Sequence, residues 1–298
     1  MTAQARTRSG PGPATACYIY GIVPAGVRAP RGESPVGDGG HRVATIRHGT
    51  IAALTSPVDL SVPIGTPDDL VAHQRILDAV ASRAPVLPMR FGAVLAEPDA
   101  VKRELLADHH DEFAAGLDQL SGTVQYVVAG RYDQDVVLTE ILTENDQAGA
   151  LAAAIRGEDE LATRDLRIQL GELINAAIAS KRDADTVAFA RTVEPLCAAI
   201  AVRGPSHEED AVHLALLVDR ASTDELGQLV DQTAAAWGDR VHIRLLGPMA
   251  PYDFATTAPA VQAPGAARLR GVMAHAHHIA QAAFPASSGG SQASRDHR

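Results

Sequence analysis

The chain has 298 residues, 46% hydrophobic and only 4% aromatic, with a mean hydropathy of -0.02. That is enough apolar material for two ordinary domains, with no run long enough to span a membrane. The net charge of -10 is uneven: residues 1–133 balance at -2, residues 134–254 at -11 and residues 255–298 at +3. Such an acidic centre argues against a broad nucleic-acid surface, which needs clustered Lys and Arg, while the basic tail suits the chain's own acidic body.

Met1 to Ala16 lacks the apolar centre of a signal peptide, which argues against export by that route, and reads as a disordered leader. Cys17 to Val23 follows as a buried strand, ended by Pro24 and a Gly/Pro-rich loop to Gly40. Val43 to Arg47 and Thr50 to Thr55 flank a tight His48-Gly49 turn, and Pro57 is expected to close that hairpin. A helix comes next, with Thr66 as cap, Pro67 in its first turn, and Asp68 and Asp69 at the positive end of its dipole.

Val86-Leu87-Pro88-Met89-Arg90-Phe91-Gly92 then places one arginine in an apolar run interrupted by proline, an extended segment. Arg90 either snorkels to water from a strand end or pairs its guanidinium within a binding site. A helix is expected over 98–120 and a strand over 124–130, giving β-β-β-α-β-α-β for the first half.

The second half opens with a helical segment over 135–156, broken near Asn145. A helix over 161–180 follows, with Leu166, Leu170, Leu173, Ile174 and Ile178 as its apolar stripe, then another over 183–195. Strands over 198–202, 212–218 and 241–246 enclose a helix over 223–237. The pattern is α+β: two domains of ferredoxin-like character with a helical segment between them. Directly after the last strand, Gly247-Pro248-Met249-Ala250-Pro251-Tyr252-Asp253-Phe254 makes a rigid aromatic strap. It either finishes the chain's own core or contacts another molecule. Beyond it, Leu269, Val272, Met273, Ala276, Ile279 and Phe284 share one face of an amphipathic helix over 266–284 in a flexible tail.

Signals for chemistry are weak. Gly37-Asp38-Gly39-Gly40-His41 lacks the Lys-Ser/Thr of a phosphate loop and precedes a strand, so it reads as a flexible turn. His109-His110 with Asp111 and Glu112 reads as a solvated helix face, and His275, His277 and His278 lack acidic or cysteine ligands nearby. Glu208-Glu209-Asp210 reads as a solvated loop. No serine or cysteine sits in a nucleophile pattern. Cys17 and Cys197 lie far apart in apolar surroundings and read as small buried hydrophobes. No cofactor, metal or catalytic residue is assigned.

Tyr18-Ile19-Tyr20-Gly21-Ile22-Val23, the Val86–Gly92 string, Arg167-Ile168-Gln169-Leu170-Gly171-Glu172-Leu173, and Gly247-Pro248 with Pro251-Tyr252-Asp253-Phe254 together resemble the GvpL/GvpF gas vesicle proteins, particularly actinobacterial members. The resemblance covers roughly residues 17–254. It implies an N-terminal α+β domain and a C-terminal domain with a modified ferredoxin-like core. It also implies a non-enzymatic role in gas vesicle assembly through the small hydrophobic shell protein. The family often has a glutamate where this chain has Gln125. If that position pairs with the motif arginine, only a hydrogen bond is left here.

The resulting expectation is a leader over 1–16, domains over 17–133 and 134–254, and a tail over 255–298. Arg90, Phe91, Tyr252 and Phe254 are the expected partner-binding residues. The major shell protein and other accessory proteins are the expected partners, self-association is a further one, and nucleic acid is none. The expected location is the gas vesicle, and the cytoplasm before or during assembly. The competing reading is a small-molecule-binding or enzymatic α+β protein, which would need a concave pocket with convergent polar groups.

Overall fold

A computed structural model describes residues 15–37 and 40–255. The first sheet is built on β1 (Thr15–Pro24), whose apolar run is long enough to be buried on both faces. β2 (Ala44–His48) and β3 (Ile51–Asp59) form the expected hairpin, with Gly49 at a φ of 56° in the turn. Pro57 does not end β3, because β2 pairs only as far as Thr55 and the proline instead faces Cys17 of β1. α1 (Pro67–Ala81) starts on a capping box between Thr66 and Asp69. β4 (Leu87–Pro88) and β5 (Val94–Leu95) both pair with β1, so the antiparallel order is β2-β3-β1-β4 with β5 also on β1.

β1 feeds two cores. Tyr18, Tyr20 and Val23 pack with Ile76, Leu77 and Val80 of α1. Cys17, Ile19 and Ile22 pack on the other side with Val101, Leu105, Leu106, Phe113 and Leu117. Those last residues do not share the single helix expected over 98–120. α2 (Pro98–Ala100) runs into a π-helical turn, Val101–Ala107, and α3 (His110–Gln119) starts afresh after His109. The wider π turn lets Val101, Leu105 and Leu106 all face inward, which an ordinary 3.6-residue turn does less well.

β6 (Thr123–Tyr132), expected to complete the first half, instead pairs with two strands of the second sheet. The split at 133/134 therefore leaves a central strand of that sheet on the wrong side. After β6 come α4 (Gln134–Glu144), α5 (Asp146–Ile155) and α6 (Arg164–Val193). Asn145 makes the expected break and caps α5 through the Ala148 N–H. The two helices expected over 161–195 are one, because nothing in Ser180-Lys181-Arg182-Asp183 breaks a helix.

β7 (Cys197–Val202), β8 (Asp210–Asp219), α7 (Thr223–Trp237) and β9 (Val241–Met249) complete the sheet in the order β7-β8-β6-β9, all antiparallel. This is the βαββαβ ferredoxin-like order, with the first crossover enlarged to three helices. Asp210 is buried instead of solvated, its carboxylate accepting from the Ser206 and His207 amides. Thr15 and Ala16, expected as the end of a disordered leader, belong to β1, where Ala16 is buried; residues 1–14, most of the tail and its proposed 266–284 helix lie outside the described residues. No described helix is long and apolar enough to cross a membrane.

Gly21 sits where β1 bends between its two cores. A Cβ there would lie 2.7 Å from the Leu87 carbonyl oxygen and 2.9 Å from Leu77. Gly21→Ala is therefore expected to destabilise the chain by about 1–3 kcal/mol. Denaturant unfolding checks this, and an unchanged midpoint would contradict the packing described.

Candidate functional site

The strap leaves β9 through Gly247 and a cis Gly247-Pro248 bond. Gly247 has a φ of 138°, and a Cβ on it would lie 2.7 Å from the Tyr126 ring, so only glycine lets the strap pass this close to β6. The strap then crosses between the two sheets and is fixed at both sides.

On the first side, the Ala250 N–H donates to Asp78 Oδ1 of α1 at 2.8 Å. On the second, Asp253 receives a fork from Arg203, Nε to Oδ1 and Nη2 to Oδ2, both at 3.0 Å. The fully buried Gln125 of β6 completes the clamp. Its Nε2 donates to Asp253 Oδ2 at 2.6 Å and its Oε1 accepts from the Asp253 N–H at 3.2 Å. Arg203 in turn donates to His213 Nε2, whose Nδ1–H points at the Gly204 carbonyl. Arg220 makes another link across the joint, donating to the Ala81 and Ala84 carbonyls at the C-terminal end of α1.

The two distinctive sequence strings meet here. Val86 and Phe91 share a hydrophobic cluster with Ala250, while Leu87 and Met89 share another with Phe254, Ala199 and Leu217. Phe254 thus fills the joint between the sheets, and Phe91 lies edge-on to Tyr18 and to the buried His73. Arg90 is exposed and makes no ion pair among the described residues, so the snorkelling reading describes its side chain. Gln125 pairs with Asp253, not Arg90. Tyr252 keeps 43% of its surface exposed.

Space at the joint is small: the cavity lined by Val86, Thr123, Val124, Arg220, Met249 and Pro251 holds about 10 Å³, room for one water. A larger concavity of about 500 Å³ is an open groove along α4, away from the strap. Neither gathers convergent polar groups around an enclosed substrate volume.

The chain as a whole is similar to known proteins. Residues 16–256 match the family described as Gas vesicle synthesis protein GvpL/GvpF. The chain belongs to that family. Relatives include gas vesicle protein F of Streptomyces sp. (strain CB03234), 29% identical over 241 residues, covering 80% of this chain and 98% of that one. Gas vesicle protein L of the same strain is 27% identical over 275 residues, covering 80% and 92%. The crystal structure of GvpF from Anabaena sp. PCC7120 has the same fold, with a TM-score of 0.68 at 21% identity, covering 82% of this chain and all of that one. Family membership assigns this chain a gas vesicle role, and the family is one of structural and assembly proteins.

The other polar groups serve the fold. Gly37, Gly65 and Thr66 direct their amides at the Asp69 carboxylate. The glycine-rich loop therefore binds the chain's own carboxylate, whose pKa these bonds lower against the opposing effect of burial. His73 accepts from or donates to the Tyr18 hydroxyl at 2.9 Å, and burial lowers its pKa to about 4. His109 and His110 turn to different neighbours, Glu112 and Asp111 respectively. Burial raises both thiols, Cys197 to about 11, which keeps them protonated.

In the second half, Arg240 bridges Asp185 and Glu140, and Lys181 bridges Glu140 and Glu144, tying α4 to α6 and to the start of β9. Sequence reasoning missed Arg203, Asp78 and Arg220. A lone arginine after a strand, or a lone aspartate in a helix, carries no local signal of a partner so far along the chain.

Two outcomes test this joint. Asp253→Ala leaves Arg203 and Gln125 without their shared acceptor and is expected to destabilise the chain by about 2–3 kcal/mol, measured by thermal or denaturant unfolding. Asp78 gives a pH signature. Burial, partly offset by the Ala250 N–H, pushes its pKa from 3.8 up to about 6. The stability it contributes is full below the unfolded value and is lost as pH rises through the folded one. Asp78→Asn keeps an acceptor for Ala250, so it should be more stable than the natural chain near neutral pH by about 1–3 kcal/mol. That gap should close in acid below the ordinary aspartate pKa; a gap independent of pH would contradict the assignment.

Proposed function

We propose that the chain acts in gas vesicle assembly by binding the small hydrophobic shell protein, alongside other accessory proteins. Self-association is a second part of the same reading. The observation that carries it is a strap fixed at both ends whose Tyr252 keeps part of its surface exposed, while burial beside Asp78 raises the pKa of its hydroxyl, within a family of gas vesicle synthesis proteins. A preorganised aromatic loses little entropy on docking and brings a large apolar contact.

Phe91 packs on the same first-sheet core as Ala250 of the strap, and the exposed Arg90 immediately precedes it. In this reading Arg90 supplies an exposed charge to orient the partner, and Phe91 and Tyr252 supply apolar contact. Phe254 supports the surface from beneath, through its packing in the joint. The binding event takes place in the cytoplasm before or during growth of the shell.

The test is co-expression with the major shell protein followed by pull-down of the intact chain, Arg90→Ala, Tyr252→Ala and a chain cut after Phe254. Capture should fall by about tenfold or more in Arg90→Ala and Tyr252→Ala, with circular dichroism showing that both variants remain folded. The cut chain separates any contribution of the tail. Undiminished capture by both point variants would remove this surface from the account. Failure of every soluble, folded form to capture shell protein would remove direct binding itself.

A further inference from the structure

We infer that the buried pair Tyr18 and His73 is a latch that positions the turn bearing Arg90 and Phe91, with His73 neutral, its proton on Nε2, as acceptor for the Tyr18 hydroxyl. That the pair holds the turn stands on geometry alone. What the turn contacts rests on the reading above, so the two can fail separately.

The turn arises from a mismatch in length. Pro88 of β4 pairs with Gly21 and Val94 of β5 pairs with Tyr18, so Ile19 and Tyr20 of β1 lie opposite five residues, Met89 to Ala93. Surplus residues at a sheet edge leave the ladder as a bulge and re-aim their side chains. Both feet of this bulge are pinned to β1, the Met89 N–H donating to the Tyr20 carbonyl at 2.8 Å and the Ile19 N–H to the Ala93 carbonyl at 2.9 Å.

The apex is held more lightly. Among the described residues its backbone bonds once to itself, the Ala93 N–H to the Arg90 carbonyl at 3.2 Å, and once to the body, the Gly92 N–H to Tyr18 Oη at 3.1 Å. Gly92 has a φ of 86°, and a Cβ on it would meet nothing within 4 Å, so side-chain packing at that residue does not fix it. The Phe91 ring adds its contacts to the same two side chains, edge-on to Tyr18 at 5.9 Å and to His73 at 5.6 Å.

Proton accounting sets the direction of the next bond. Tyr18 Oη accepts from Gly92, so its own proton needs an acceptor, and among the described residues His73 Nδ1 at 2.9 Å is the one in reach. Tyr18 is fully buried and His73 is 3% exposed, so an unpaired proton is costly here. A proton on Nδ1 would leave both the Tyr18 hydroxyl proton and the Nε2 lone pair unmatched. With the proton on Nε2, only that N–H lacks a bond, and the Met89 carbonyl favours a proton on the ring. Burial keeps the imidazole from taking a second proton at neutral pH.

Two measurements on the full chain test the latch. Long-range proton–nitrogen NMR at neutral pH reads the tautomer and needs no variant: His73 should show a bare Nδ1 and a protonated Nε2, and a proton on Nδ1 overturns the proposal. Native-state hydrogen exchange reads the hold on the turn. Tyr18→Phe keeps the ring and loses only the hydroxyl, so the Gly92 amide should exchange about tenfold faster, through an opening insensitive to low denaturant, the mark of local release. Unchanged exchange at Gly92, or a rise shared by all amides and sensitive to denaturant, overturns it.

The pull-down adds the functional arm. Tyr18→Phe should lose capture together with Arg90→Ala, and a variant whose turn is released yet captures as well as the natural chain overturns the positioning role. Full capture by Arg90→Ala and Tyr252→Ala removes the shell-binding surface instead, and exchange at Gly92 then decides the latch by itself.

Discussion

The carboxylate of Asp253 holds the molecule in its observed form. It takes both arms of the Arg203 guanidinium and the side-chain amide of Gln125, so three groups from distant parts of the chain satisfy one another. The fully buried Gln125 would otherwise face the desolvation penalty of an unpaired amide in the interior. With the end of the strap fixed this way, Phe254 is delivered into the cluster shared by both sheets, and Ala250 onto Asp78 of α1. Arg220 makes a parallel link to the last carbonyls of α1.

Each half is stiffened before it is joined. In the first, Asp69 gathers the amides of two loops at the start of α1, and Tyr20 anchors Val36 and Ser56 through its hydroxyl. In the second, the chain of ion pairs from Glu144 through Lys181, Glu140 and Arg240 to Asp185 fixes the enlarged crossover against the sheet. Such rigidity means that surface residues lose little freedom on contact with a partner.

Elements governed by local chemistry were legible in the sequence. The Thr66-Pro67-Asp68-Asp69 start specifies α1, the span of α7 follows from its periodicity, and Asn145 marks the break between α4 and α5. Features governed by distant partners were not. β6 is a mostly apolar run buried on both faces, and nothing within it says that its neighbours are β8 and β9 instead of β1. Gln125 was marked only as a departure from a glutamate frequent in the family, with Arg90 as its possible partner, whereas it pairs with Asp253, 128 residues away. The strap's unusual composition pointed to a rigid element, and only the structure placed Phe254 within the joint and Tyr252 at its surface.

The central claim is that the strap makes one cooperative body from two sheets, and calorimetry tests it most directly. The chain as it stands should unfold in a single transition whose calorimetric and van't Hoff enthalpies agree. A chain ending at Leu246, which retains most of β9 but lacks the strap, should unfold in two separated steps. A single, equally cooperative transition in the shortened chain would contradict the account.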